Sequence, residues 1–361
     1  MNDTVGQPPS FGLRSEPGAA TSHPDAPVRH SYPLAITDAG LGTALSLMLQ
    51  TFPYALARFA VLLAASIALT LWLILTFAGA AFLGKHVPVL AYIWLFVGLL
   101  VPGYFWKLFI RYSLYLLKAG QIAVLTELIT VGHTAERAGM FAHGKRVVTE
   151  RFGEVNAMFA LDAVIKGVVR VFNRTLDWVA NLLPIPGLSS LTNVVNAVVR
   201  ATTTYIDETI FSYSLARGDD NRFRSARDGL VYYAQNAEAV LKTGLYIVVL
   251  DAVLTAVAWL VCLVPAGLIA YLLPAGGTGQ LAVIGLAVLV GLNLRSAFLH
   301  PFFLVMVMVK FHVTIRGQAI RPEWDQQLRS ISTGFEQLTQ QAGAYFSSHT
   351  PGIAPVAVTG S

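Results

Sequence analysis

"LAVIGLAVLVGLNLRSAFLHPFFLVMVMV", Leu281 to Val309, carries one permanent charge, Arg295. About 20 mostly apolar residues are enough for an α-helix to cross a bilayer, so this run reads as a span. Three other segments read the same way. Phe59 to Leu83 and Val87 to Trp106 contain no charge, and Leu245 to Leu273 contains only Asp251. Two hairpins of spanning helices define an all-α, polytopic integral membrane protein. Composition agrees: of 361 residues, 55% are hydrophobic and 12% charged, about half the charge of an average soluble domain.

Orientation follows from the placement of Lys and Arg, which collect on the cytoplasmic side of spans. The turn between the first two spans offers only Lys85, and "PAGGTGQ" between the last two offers none. The opposite flanks hold Arg58, Lys107, Arg111, Lys118, Lys242, Lys310, Arg316, Arg321 and Arg329. Both termini and the middle region are therefore expected in the cytoplasm. Tyr92 and Trp94 fit an outer aromatic belt, and Tyr104, Phe105 and Trp106 an inner one. Lys107, Arg111 and Lys118 share one helical face and are expected to meet anionic lipid head groups, each attraction being about 1 kcal/mol. The pI of 9.3 needs no nucleic acid, because the cations bracket spans and form no separate basic domain.

The chain divides accordingly. Residues 1–35, rich in Pro, Gly and Ser, read as a disordered tail. Residues 36–117 form a hairpin with an amphipathic lead-in, 118–242 a cytoplasmic-side helical region, 243–311 the second hairpin, and 312–361 a tail. Residues 118–242 hold 14 Lys/Arg and 12 Asp/Glu, yet they show helical periodicity. From Val155 to Leu183 one face is apolar and the other carries Asp162, Lys166, Arg170, Arg174 and Asp177. "LPIPGLSS" breaks the pattern, and a second amphipathic helix follows to about Leu215, with Arg200, Asp207 and Glu208 on its polar face. Charges at a bilayer centre cost about 2.5–3.5 kcal/mol each, while a large apolar residue returns about 0.3–0.6. The preferred reading of 155–215 is a hairpin along the inner membrane surface or packed beneath the spans. It crosses only if its polar face is sealed or lines a water-filled cavity.

Asp251, Asn293, Arg295 and His300 form an expected intramembrane polar cluster. Measured from Thr243 and Phe311 at 1.5 Å per residue, Asp251 lies about 12 Å deep, His300 about 17 Å and Arg295 about 24 Å. Antiparallel helices would let Asp251 meet His300, or Arg295 with some reach. Pro301 removes the hydrogen bond to the Ala297 carbonyl, and Gly291 invites close helix approach. Two accounts stand side by side: an ion pair that fixes helix register, or a polar site on a conduction path.

The stretches "FRSARDGLVYYAQNAEAVLKTGLYIVVLDAVLTAV" (223–257) and "SAFLHPFFLVMVMVKFHVTIRGQAI" (296–320) resemble the C-terminal half of the choline transporter-like family. The matching positions are Ser225, Ala226, Asn236 and Asp251. The resemblance covers about a third of the chain, which lacks the large extracellular loop and extra spans of that family. It implies transport of a small solute, with choline as the family's substrate.

No phosphate-binding glycine loop, HExxH, GxSxG or cysteine pair is present, so no enzyme activity, cofactor or metal is expected. His133 and His143 read as solvated surface. The expected function is a transport or permeation protein, as a homo-oligomer in one version. The alternative is a scaffold or assembly subunit whose amphipathic helices bind lipid or partner proteins.

Overall fold

The computed structural model describes residues 32–105, 109–134, 139–152, 165, 168, 198, 200–201, 204–219, 221–274 and 277–349. Its secondary structure is helical, with no strand among the described residues. The helices are α1 (Leu41–Gln50), α2 (Phe52–His86), α3 (Pro88–Phe105), α4 (Arg111–Thr130), α5 (Met140–Phe152) and α6 (Ile206–Arg217). They continue with α7 (Arg222–Gln235), α8 (Ala237–Leu272), α9 (Thr278–Thr314), α10 (Pro322–Ile331) and α11 (Thr333–His349). Four of them, α2, α3, α8 and α9, are long and apolar enough to cross a membrane.

Three of these spans exceed what a bilayer needs. At 35 to 37 residues, α2, α8 and α9 are each about 52–55 Å long, against about 30 Å of hydrocarbon. The surplus enters a helical bundle. The two zones differ sharply in burial. In the most apolar window of α8 only 6% of residues are buried, and in α3 only 11%. By contrast, every residue of α4 from Ala119 to Thr130 is buried, as is every residue of α6 from Ile206 to Leu215. The second half of α9 packs on α6 and α1, with Phe303 to Val309 buried. Burying an aromatic or aliphatic side chain contributes about 1.5–3 kcal/mol. Tyr213, Tyr232, Phe303, Phe311 and Phe335 are among the largest of the fully buried side chains.

Local chemistry sets the element ends. Gly218 ends α6 at φ +65, a left-handed conformation that glycine adopts without a Cβ clash. Asn221 caps α7 by accepting the Arg224 N–H at 3.0 Å, and its amide donates to the Ala342 carbonyl of α11 at 2.8 Å. Within α9, Arg295–Leu299 is a π-turn, where the His300 N–H bonds to the Arg295 carbonyl. Pro301, which has no N–H to donate, directly follows it.

The first hairpin is locked by two indoles. Trp72 of α2 donates to the Gly98 carbonyl at 2.8 Å, and Trp94 of α3 donates to the Thr76 carbonyl at 3.0 Å. Trp94 thus contributes a helix–helix bond besides any place in an aromatic belt. A Cβ on Gly98 would lie 2.4 Å from Thr76 Cγ2, so these helices meet at a bare backbone. The bundle has a similar crossing. A Cβ on Gly144 of α5 would lie 2.8 Å from the Gly120 carbonyl oxygen of α4, where the Tyr54 hydroxyl donates to the Met140 carbonyl at 2.8 Å.

Candidate functional site: a charged junction between spans and bundle

Polar side chains from five helices collect where both hairpins enter the bundle. Asn293 of α9 donates to Ser66 Oγ of α2 at 3.0 Å. Two residues of α9 back toward the loop, Gly291 faces the Trp259 ring, which a Cβ would approach to 3.0 Å. On the other side of Asn293, Arg295 Nη2 donates to Asp251 Oδ2 of α8 at 2.7 Å, and Thr255 donates to the other carboxylate oxygen at 3.2 Å. Asp251 therefore takes Arg295 as its direct partner. His300 lies within electrostatic reach of Arg58, Arg295 and Asp251.

The level of this ion pair follows from the turn of the second hairpin. Counted from that turn at 1.5 Å per residue, Asp251 lies about 32 Å away and Arg295 about 26 Å. The arginine side chain closes the difference, and the two-turn offset expected from the far ends disappears. A hydrocarbon layer is about 30 Å thick, so the pair sits near its bundle-side edge, not at mid-depth. Its side chains are 41% and 29% exposed.

Deeper in the bundle, Lys118 Nζ of α4 meets Glu208 Oε1 of α6 at 2.5 Å. Burial works to raise the Glu208 carboxyl, but Lys118 and a hydrogen bond with Asp207 hold it below its ordinary value. Tyr205 is pushed well up by burial and then by the Glu208 and Asp251 carboxylates, while Arg58 and Arg295 oppose this. Three buried charged atoms in this zone have no hydrogen-bond partner among the described residues: Glu208 Oε2, Arg58 Nε and Arg295 Nε. Buried polar atoms are normally paired. Each of these atoms can be satisfied by water or by a small polar molecule.

Several expected positions fall elsewhere. Asp207 and Glu208, expected on the polar face of an amphipathic helix that could line a cavity, are 7% and 8% exposed, because α6 is packed on all sides. Lys118, expected at lipid head groups, is turned inward by Glu208. Arg111 is exposed at the start of α4, and Arg200 is exposed. Lys107, Asp162, Lys166, Arg170, Arg174 and Asp177 lie outside the described residues, as does most of the hairpin 155–215.

Two buried networks escaped the sequence reading. His143, expected on the surface, is 5% exposed. Arg146 donates to its Nδ1 at 3.1 Å, so Nε2–H donates to Glu127 Oε2 at 2.7 Å. The second network joins Tyr32, His312, Ser212 and Thr126 in contacts of 2.8, 2.8 and 2.7 Å. Thr126 spends its proton on the Ile122 carbonyl at 2.7 Å. Ser212 must then donate to Thr126 and His312 Nε2–H to Ser212, while Nδ1 bonds to the Tyr32 hydroxyl. Within this chain of bonds, the direction of the hydrogens places a proton on Nε2 of His312. The partners are 280 and 100 residues apart, so no sequence spacing announces them. The buried runs of α4 and α6 were the available signal.

The fold defines a class: an all-α membrane protein with two apolar hairpins rising from a helical bundle. Compared with family models, curated proteins and solved structures, the chain matches none.

Proposed function

We propose that this chain is a transport or permeation protein for a small polar solute, without enzymatic chemistry, and with both termini in the cytoplasm. The observation that carries the reading is the junction itself. Asp251, Arg295 and His300 at the hydrocarbon edge adjoin Arg58, Lys118 and Glu208 of the bundle, and three buried side-chain atoms of this group have no hydrogen-bond partner among the described residues. A purely structural junction gains nothing from buried polar atoms left without a hydrogen bond, each of which costs about 1–3 kcal/mol. Intramembrane ionisable groups are a marker of solute and ion routes. The resemblance of residues 223–257 and 296–320 to choline transporter-like proteins supports the same class.

A second reading keeps its own support. The spans are so thinly buried, at 6% to 22%, that much of their surface is free for lipid or other helices. That suits a scaffold or assembly subunit. It equally suits a transporter whose route is walled by further copies of the chain.

Single cysteines at 187, 251 and 295 on a Cys262→Ser background separate the two readings. With membrane-impermeant reagents, permeation expects labelling at 251 or 295, slowed by a transported solute. Silence at both, in a protein that still assembles, removes the transport reading. Labelling of 187 from outside the cell would show that the segment around "LPIPGLSS" crosses the membrane.

A further inference from the structure

An open cleft of about 810 Å³ lies between the start of α1, the end of α7, and the flanks of α8 and α9. It is separate from the charged junction. Lys242, Lys310, Tyr246, Leu41 and Met306 line it. The amides at its α7 edge are already engaged: Gln235 and Asn236 both donate to Gln318 Oε1, at 2.9 and 2.8 Å. The lysines remain. Lys242 pairs with Glu238 at 2.7 Å, but both side chains are exposed, 67% and 58%. Exposed pairs of this kind hold weakly. No carboxylate pairs with Lys310 among the described residues.

The cleft sits at a polar–apolar boundary. Lys242 is the last cation of α8 before the exposed apolar surface of Leu245, Tyr246 and Val249 begins. Lys242 lies nine residues, about 13 Å, beyond Asp251 on the bundle side, where its long side chain can reach back to the head-group layer. Beside the cleft, α1 carries a ridge of exposed leucines at four-residue spacing: Leu41, Leu45 and Leu49, 40%, 51% and 61% exposed. Phe52 and Leu56 of α2 continue it, at 41% and 52%. The opposite face of α1 packs on the bundle through Ala44, Leu47 and Met48. A helix with one face docked and the other a leucine ridge, continuous with a span, belongs in the head-group–acyl boundary.

We propose that this cleft holds the head group of an anionic phospholipid, its phosphate between Lys242 and Lys310 and an acyl chain along the Leu41–Leu45 ridge. A basic recess at head-group depth suits the phosphate, and the ridge selects a lipid over a free phosphate. This inference does not depend on transport.

The test uses the full chain, purified in a mild detergent and offered phosphatidylglycerol or phosphatidylcholine, with bound lipid counted by native mass spectrometry. The expected result is preferential retention of phosphatidylglycerol. Lys310→Gln lowers that retention about fivefold, the factor for one cation near an anionic lipid. Leu45→Ser lowers it too, and Lys310→Arg restores it. Lys85→Gln, at the opposite ends of the spans, leaves it unchanged. Glycerol phosphate without acyl chains does not compete.

Equal retention of the two lipids overturns the proposal, as does equal loss in Lys310→Gln and Lys85→Gln. Full competition by glycerol phosphate also overturns it, since the cleft would then be a site for a soluble phosphate. A Lys310→Gln protein that fails to fold is replaced in the comparison by Lys242→Gln, on which the same outcomes are read.

Discussion

Asp251 and Arg295 meet at 2.7 Å where the dielectric changes from hydrocarbon to head group. Partial exposure keeps the net value of the pair small, but removing one partner strands the other charge. Asp251→Asn and Arg295→Met alone should each lower the thermal midpoint in detergent, while the double variant recovers most of the loss. A double-mutant cycle should return a coupling of about 0.5–3 kcal/mol. Additive losses would mean that the contact holds nothing. Glu208 gives a pH-dependent counterpart. Its carboxyl is held below the ordinary value, so its contribution is complete above about pH 4.3, the unperturbed glutamate value. It is lost as pH falls through the lower folded value. Glu208→Gln should therefore flatten the acid limb of a stability–pH profile, and an unchanged limb would remove Glu208 from the account.

At the scale of elements, close helix crossings depend on missing side chains. Gly144→Ala would drive a methyl group into the Gly120 carbonyl, which is backbone and cannot step aside. Overpacking of this kind costs about 1–3 kcal/mol, read as a loss of thermal stability. Gly98→Ala should part α2 from α3 and lengthen the Trp72 bond. Gly103→Ala, with nothing within 4 Å of the added carbon, is the control that should change little.

Helices were the legible part of the sequence. Apolar length marked all four spans, and Pro301 marked the place where α9 departs from α-helical bonding. Illegible were the contacts that join distant helices. Lys118 looked like a lipid anchor because its partner Glu208 is 90 residues away. His143 looked solvated because nothing in its own helix reveals that Glu127 of α4 faces it. Arg295 read as mid-membrane because depth was counted from the ends of the spans and not from the turn.

For the molecule as a whole, the contrast between bare spans and a packed bundle predicts how it comes apart. Digestion of a detergent-solubilised sample should spare the bundle core of α4, α6 and the second half of α9. A variant that unfolds the core, such as Phe303→Ala at a cost of about 3–5 kcal/mol, should leave the spans embedded. Release of the whole chain from the membrane fraction would contradict that division.

The hydrogen bond from Tyr32 to His312 sets a timetable for biosynthesis. Its two ends are separated by 280 residues, and the histidine belongs to the last spanning helix. The first hairpin can close its indole locks as soon as α3 leaves the ribosome, since those contacts are local. The leading segment cannot dock until translation is nearly done. Until then α1 and α6 lack the second half of α9 that packs on them, and their buried faces are open to chaperones and proteases. A ribosome stalled before Thr278 should hold an inserted but unsealed chain, its N-terminal segment cut readily by a protease that spares the finished protein.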